Sequence, residues 1–536
     1  MTAVIPAPLH QEPASCGSFT LRPGDGISFC DEALASLART FCHDLHADTG
    51  LQLVPTAAEP SAVHLELADA VDELRDLPAT HGISPTDGDP AAERYALDIG
   101  PEGVRIRATA PEGLFRGLTT LRQVIATTAR PHDVAVTLSA LRVLDAPRFA
   151  WRGLSLDVAR TFFNVAEVKA VIDLLAQYKL NVLHLHLTDD QGWRLHIDAW
   201  PALTEVSGHS AFGERPGGFY TKEEYQDLVR YAADRFVTVV PEIDLPGHCK
   251  AVFSAYPELA PASFDPQDNG GLSIAVLDPN LATTMPFVTD VLSEVAALTP
   301  GPYLHIGGDE AFGMADGPYE LFVTQVRLIV AHLGKKPVGW QETARSGLAA
   351  GDIVQYWLDG LDYFDLDVIA EGMALPDEMR ALIETSGHRA AQDARTALEA
   401  GARLLLSPLT LTYLNQPYAE KGDPAQEAER DRLGLKLYPG TTVESTVNWD
   451  PATAVDGITS EDQIAGIEAA IWCESVTGFS DLQFLLLPRL TGTAERAWAP
   501  QTAYENQDYT ERLAAQAPTW RRAGWNYFRA ESIPWQ

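Results

Sequence analysis

No C-x-x-C pair occurs anywhere in this 536-residue chain, and its five cysteines are too few for a disulfide framework. Cys16, Cys30 and Cys42 fall near the start while Cys249 and Cys473 stand alone, so no metal site of the structural zinc kind is expected. Basic residues are also scarce: 39 Lys and Arg face 74 Asp and Glu, a formal net charge of −35. Phosphate recognition needs a basic face, so neither nucleic acid nor an anionic membrane is expected as a partner, and the charge reads as solubility. No run of about 18 apolar residues occurs, so no spanning helix is expected. The opening MTAVIPAPLHQEPASCGSF lacks a basic segment followed by an apolar core. A cytoplasmic location is the expectation, or a secreted one if a leader has been trimmed away.

What is present is an ordinary globular balance, 46% hydrophobic and 21% charged, on a chain long enough for more than one domain. Residues 18–21 and 63–67 read as strands separated by a helix over 31–49. Tyr95, Leu97 and Ile99 alternate, Pro101-Glu102-Gly103 turns the chain, and Val104, Ile106 and Ala108 alternate back, which is a hairpin. A helix over 113–126 follows, with Leu114, Leu118, Leu121 and Ile125 on one face. Asp145-Ala146-Pro147 marks a boundary, because the residue before proline is pushed out of helical geometry. We expect a small α+β domain over 1–146 and a second domain over 147–536 that ends in a C-terminal helix.

In the second part the pattern becomes strand, loop, helix, repeated. Eight strand candidates, at 153–158, 181–187, 237–243, 303–306, 337–340, 353–357, 403–406 and 467–472, alternate with helical stretches such as 165–178, 222–235, 287–298 and 319–333. This predicts an α/β fold, a (β/α)8 TIM barrel. The fifth and sixth units leave little room for a helix between Trp340 and Ile353. A doubly wound open sheet is the rival, but no glycine-rich phosphate fingerprint follows the first strand.

In such barrels the chemistry sits on the loops that follow the strands. Strand one runs into Asp157-Val158-Ala159-Arg160 and strand two into Asp189-Asp190-Gln191-Gly192-Trp193-Arg194. Strand three gives Glu242-Ile243-Asp244 and His248, strand four His305-Ile-Gly-Gly-Asp309-Glu310, and strand seven Tyr413-Leu414-Asn415. Trp340, Trp357 and Trp472 end strands five, six and eight, the last followed closely by Glu474. One tryptophan at a strand end is ordinary core filler, and one acid pair can cap a loop. Acids, a histidine, an arginine and several aromatics on a single rim instead suit a sugar ring. His184 and His186 share one strand face and invite a metal-hydrolase reading; burial with hydrogen-bonded neighbours is the preferred account.

Together these blocks resemble glycoside hydrolase family 20, the β-N-acetylhexosaminidases. They are RGLSLDVARTFF at 152–163, HLHLTDDQGWR at 184–194, PEIDLPGH at 241–248, HIGGDE at 305–310, VGW at 338–340, QYW at 355–357 and WCE at 472–474. The first part is similar to the small α+β domain that precedes the barrel in this family. The resemblance implies exo-acting, retaining hydrolysis of terminal GlcNAc or GalNAc with no cofactor and no metal, the substrate's own acetamido group serving as nucleophile. It implies that Glu310 is the proton donor, with a raised pKa, and that Asp309, with a low one, holds the acetamido N–H. Tyr413 is implied to orient the acetamido oxygen, and Asp189 and His248 to tune Glu310. Arg160 and Glu474 are implied to bind hydroxyls, Trp340, Trp357 and Trp472 to wall the pocket, and Asp244 to act from behind the direct ligands. The implied partner is an oligosaccharide or glycoconjugate with a terminal β-linked N-acetylhexosamine.

The sequence departs from the family at Asn415, where Tyr-x-Asp is usual; asparagine can bond a hydroxyl but carries no charge. That leaves the preference at C4 and C6 open, and it motivates a rival reading as a non-catalytic amino-sugar-binding protein on the same barrel. A metal-dependent barrel hydrolase using His184, His186 and His248 is the other alternative.

Overall fold

The computed structural model describes residues 2–57, 60–130, 133–262, 264, 275–360, 377–501 and 506–535. Alternating apolar residues in the first part become a seven-stranded mixed sheet. Its strands are β1 (His10–Leu21), β2 (Gly26–Phe29), β3 (Val54–Thr56), β4 (Val63–Leu67), β5 (Tyr95–Gly100), β6 (Gly103–Ala108) and β7 (Val136–Asp145), in the order β1-β7-β5-β6-β4-β2-β3. The expected hairpin is β5–β6, closed by Pro101 and Glu102 between the paired Gly100 and Gly103. Helices α1 (Ala35–Thr49) and α2 (Pro111–Thr128) pack on the sheet and on each other. β1 begins eight residues earlier than its apolar pattern shows, at His10 instead of Ser18. Antiparallel pairing with β7, interrupted between Pro13 and Ser18, orders a polar segment that has no alternation of its own.

The apolar runs of the second part lack alternation because both of their faces are covered. Eight parallel strands close into a barrel: β8 (Trp151–Asp157), β9 (Val182–His186), β10 (Thr238–Glu242), β11 (Tyr303–His305), β12 (Lys336–Trp340), β13 (Ile353–Tyr356), β14 (Arg403–Leu406) and β15 (Ile464–Ile471). The architecture is therefore a TIM barrel preceded by a small α+β unit. Outer helices include α3 (Val165–Gln177), α4 (Lys222–Ala233), α5 (Thr284–Leu298), α6 (Asp316–His332), α7 (Asp377–Glu399) and α8 (Arg489–Trp498). Asn164 with Glu167 and Thr221 with Glu224 form capping boxes that start α3 and α4. Between β12 and β13 the chain makes only a 3-10 turn, Gln341–Ser346, where the sequence leaves no space for a full helix.

The barrel interior is built in layers of opposite chemistry. At its base Trp151, Val182, Val240, Tyr303, Val338, Ile353, Leu405 and Ala465, one from each strand, form an apolar cluster. Side chains two residues further along a strand face the same way. The next layer therefore holds Gly153, His184, Glu242, His305, Trp340, Gln355 and Ser407, joined by Glu468 of β15, which lies three residues on because the register shifts there, and it is mostly polar. Gly153 makes that layer possible: a Cβ there would lie 2.2 Å from Glu468 Oε2. Glu468 accepts from Trp151 Nε1 at 2.9 Å, and its other oxygen meets His184 Nδ1 at 2.8 Å and Gln355 Nε2 at 3.0 Å. Both oxygens of Glu468 are thus hydrogen-bonded.

Buried ion pairs join the sheet to the barrel. Asp145, the last residue of β7, takes Lys179 Nζ at 2.9 Å, Tyr95 OH at 2.6 Å and Trp498 Nε1 at 3.0 Å. Lys179 follows α3 and, like Asp145, has a side chain with 0% exposure. Glu93 accepts from Arg116 of α2 at 2.7 Å and from Arg152 of β8 at 2.6 Å. Removing one member of such a pair strands the other charge without water. Asp145→Ala is therefore expected to cost about 3–5 kcal/mol in chemical denaturation; a loss below about 1 kcal/mol, the range of exposed pairs, would refute this account of the junction.

Candidate active site

The loop after β11 explains why two glycines precede two adjacent acids. Gly307 and Gly308 have φ of 66° and 104°, values that glycine adopts freely. A Cβ on Gly307 would sit 1.7 Å from Asp244 Oδ1, and one on Gly308 would sit 2.5 Å from Thr343 Cγ2. The glycines let Asp244, from the loop after β10, press against the backbone, where Gly308 N–H donates to its Oδ1 at 3.3 Å. Glu310 itself has φ of 45°, as His248 has 54°, a conformation that costs a non-glycine residue about 1–3 kcal/mol. Both strained residues belong to one constellation.

His248 Nε2 lies 3.6 Å from both Asp309 Oδ2 and Glu310 Oε2, and its Nδ1 lies 3.4 Å from Asp189 Oδ1. Asp189 Oδ2 meets Arg160 Nη2 at 2.7 Å and His186 Nε2 at 2.9 Å. Burial opposes charge on Asp189, yet Arg160 and His248 outweigh it and hold the carboxyl well below the usual range. Burial likewise opposes charge on His248, and Asp189 and Asp244 overcome it and raise its pKa.

Asp309 and Glu310 behave differently from the separated pair that the resemblance implies. Both pKa values are raised. Burial is the main cause for Glu310, partly offset by His248 and Arg160. For Asp309 burial also leads, and Asp244 beside it adds like-charge repulsion. Burial lifts Asp244 itself to about 7. Two carboxyls packed together away from water resist joint ionisation, so Asp309 is not the low member. In this site Asp189 takes that part.

Aromatic side chains line the same end of the barrel. Trp340 is 1% exposed, with Nε1 donating to Glu242 Oε1 at 2.8 Å. Its ring centroid lies 5.8 Å from that of Trp472, which faces Tyr413 at 6.1 Å. Trp357 is parallel to Tyr413 within 9°, at 6.4 Å. Arg160 lies over Trp472 at 5.1 Å. Burial raises Glu474 to about 7 against the pull of Arg160, and its Oε2 has no hydrogen-bond partner among the described residues. Asn415 is fully buried, and neither atom of its amide has a partner among the described residues.

Of the twelve residues singled out from the sequence, eleven are brought together here, while Asn415 follows Tyr413 by two residues and its side-chain amide makes no hydrogen bond among the described residues. Asp309, Glu310, Asp189, His248, Asp244 and Arg160 form a contiguous charged group, and Tyr413 with the three tryptophans forms the aromatic one. Two further residues join them. Glu342 accepts from Trp357 Nε1 at 3.1 Å, and burial raises it to about 7. Tyr438 packs its ring 6.3 Å from Tyr413 and lies in the fields of Glu474, Glu310 and Arg160. Glu342 was findable, two residues after Trp340 at a strand end; Tyr438 lies in the long connection before β15, where no motif points to it. His184 and His186 face Glu468, Glu242 and Asp189. This is the hydrogen-bonded burial expected of them.

The chain is similar to known proteins over its whole length. Residues 149–320 and 314–501 match the family described as "Glycosyl hydrolase family 20, catalytic domain", and residues 1–146 match its "domain 2". A β-N-acetylhexosaminidase of Cellulomonas fimi is 39% identical over 478 residues, 89% of this chain and 85% of that protein. The structure of Streptomyces plicatus N-acetyl-β-hexosaminidase in complex with Thio-NAglucal superposes with a TM-score of 0.81 at 37% identity, covering 100% of this chain and 98% of that one. The β-N-acetylhexosaminidase of Streptomyces coelicolor A3(2) gives 0.80 at 36%, covering 100% and 99%.

The packing account of the loop is testable against a control glycine. Gly347 has φ of 71° and nothing within 4 Å of a built Cβ. Gly347→Ala is expected to cost about 1 kcal/mol from backbone strain alone. Gly307→Ala is expected to cost at least about 2 kcal/mol more, from overpacking against Asp244. Equal losses in chemical denaturation would show that the contact with Asp244 does not matter.

Proposed function

The chain belongs to glycosyl hydrolase family 20 and is a β-N-acetylhexosaminidase, and we propose that Glu310 supplies the proton, Asp309 and Tyr413 aim the nucleophile, and the remaining rim residues hold the sugar. The enzyme removes a terminal β-linked N-acetylhexosamine with retention, through an oxazoline-like intermediate formed by the substrate's own acetamido group. The partner is a carbohydrate; an oligosaccharide or glycoconjugate ending in β-linked GlcNAc or GalNAc is the finer proposal.

The observation that carries the division of labour is the placement of His248 between Asp189 and the Asp309–Glu310 pair. Burial keeps Glu310 protonated above the ordinary carboxylate range, so it can give its proton to the departing oxygen. Once that proton has gone, Glu310 is the base that takes one from water as the intermediate opens. Positive charge growing on the acetamido group favours the ionised form of Asp309, which accepts its N–H, while Tyr413 donates to the acetamido oxygen and directs it at the anomeric carbon. Such intramolecular attack gains from orientation already fixed by binding. Trp340, Trp357 and Trp472 wall the pocket, and Arg160 and Glu474 take hydroxyls on its far side. Arg160 also compensates Asp189, so one cation serves both binding and the acid's support.

Asn415 presents a neutral amide whose Oδ1 and Nδ2 have no partner among the described residues. We assign it to the C4 and C6 side of the sugar, where it can donate as well as accept and does not repel an acidic substituent.

Glu310→Gln should reduce kcat/KM on a substrate with a poor leaving group by about 10²–10⁴-fold, and far less on a dinitrophenyl glycoside that needs little acid help. The working form is the protonated acid, so activity falls as pH rises through its pKa. Because that pKa is raised, the alkaline limb of kcat/KM should lie above the ordinary glutamate value of about 4.3. A limb near that value would contradict the assignment, as would equal losses on both glycosides. Asn415→Asp should lower kcat/KM on a 6-sulfated substrate relative to its unsulfated counterpart by about tenfold, or ~1.4 kcal/mol. An unchanged ratio would place C6 elsewhere.

A further inference from the structure

Sugar binding and proton transfer occupy the rim of the barrel, and the polar layer lies directly beneath it. At the centre of that layer Glu242, with 0% exposure, meets four groups. His186 Nδ1 lies 2.6 Å and His184 Nε2 3.0 Å from its Oε2, while His305 Nδ1 lies 2.9 Å and Trp340 Nε1 2.8 Å from its Oε1. A carboxylate with 0% exposure is costly to bury, and the apolar layer immediately below shows that the same eight strands can be filled without one.

His186 reveals where this charge is felt. Its two ring nitrogens face two carboxylates, Glu242 at 2.6 Å and Asp189 at 2.9 Å. Ionised carboxylates only accept, and Nε2 lies closer to Asp189, at 2.9 Å, than to Arg160 Nη1, at 3.3 Å, so the bridging imidazole donates from both nitrogens and is an imidazolium. Asp189 Oδ2 is thereby held between His186 and Arg160, which leaves Oδ1 turned to His248 at 3.4 Å. His248 in turn stands 3.6 Å from Glu310 Oε2. Charges alternate along the line from Glu242 through His186 and Asp189 to His248, which faces the acid. The other groups that face Glu242 are His184, which Glu468 holds at 2.8 Å, and His305 from β11; Asp244 lies two residues further along the chain.

We propose that Glu242 is a positioning residue for Glu310, acting through His186, Asp189 and His248, and that its second oxygen fixes the Trp340 wall of the same pocket. The inference rests on the reading of Glu310 as the acid. A carboxylate in this place does what no apolar residue could: it keeps His186 doubly protonated, and so keeps Asp189 oriented toward His248. The polar layer is then the foundation of the acid's support.

Glu242→Gln preserves shape and removes the charge. Its kcat/KM should fall about tenfold more on a substrate with a poor leaving group than on a dinitrophenyl glycoside, because help from the acid is what weakens. The His186 imidazole, followed by 15N resonance or neutron diffraction, should carry two protons in the wild type at pH 7 and one in the variant. Equal losses on both glycosides, or a His186 that keeps both protons in the variant, would overturn the inference. Should the variant not fold, the wild type alone decides: a neutral His186 at pH 7 overturns the proposal, and a doubly protonated one supports it. A wild type with no turnover on either glycoside would overturn the role of Glu310 itself. Turnover with an unmoved leaving-group dependence in Glu242→Gln would overturn only the role of Glu242.

Discussion

A carboxylate that gathers three imidazoles and an indole and is closed off from water fixes the upper interior of this barrel. Glu242 draws groups from β9, β11 and β12 to a single point, so three strands cannot shift in register without stranding a polar atom. The strand ends above it inherit that rigidity. His186 passes it to Asp189 and the catalytic loops, and Trp340 passes it to the aromatic wall. Seen this way, the acid and the sugar pocket share one support.

Space for this arrangement comes from glycines. Gly153 admits Glu468 to the polar layer, and Gly307 admits Asp244 against the loop that carries the acids. Strain is concentrated nearby, at the positive φ of Glu310 and His248. Such strain persists where surrounding contacts over-determine the backbone, and here the contacts are ionic and buried. Catalytic geometry and stability are therefore set against each other within a few residues.

Much of this could be read from the chain. The apolar runs gave the barrel strands, because burial on both faces removes alternation, and the residues placed at strand ends all lie on one rim. The clustering of His184 and His186 with acids was readable in kind but not in partner, since Glu468 lies nearly three hundred residues away in sequence. Tyr438 was invisible: it lies in an irregular connection whose path depends on tertiary packing. The direction of the Asp309 shift was also out of reach, because it depends on how close Asp244 comes, and that closeness depends on Gly307. The early part of β1 escaped for another reason, since its polar residues are ordered by β7 and not by any pattern of their own.

The buried pairing of Asp145 with Lys179, and of Glu93 with Arg152, bears on how such a protein can be recombined. Each pair places one partner in the N-terminal sheet unit and the other in the barrel. A chimera that grafts the first unit of one relative onto the barrel of another must carry both halves of each pair, or leave a lone ion sealed in the seam. The two parts can therefore drift in their loops while their shared seam changes only by matched exchange.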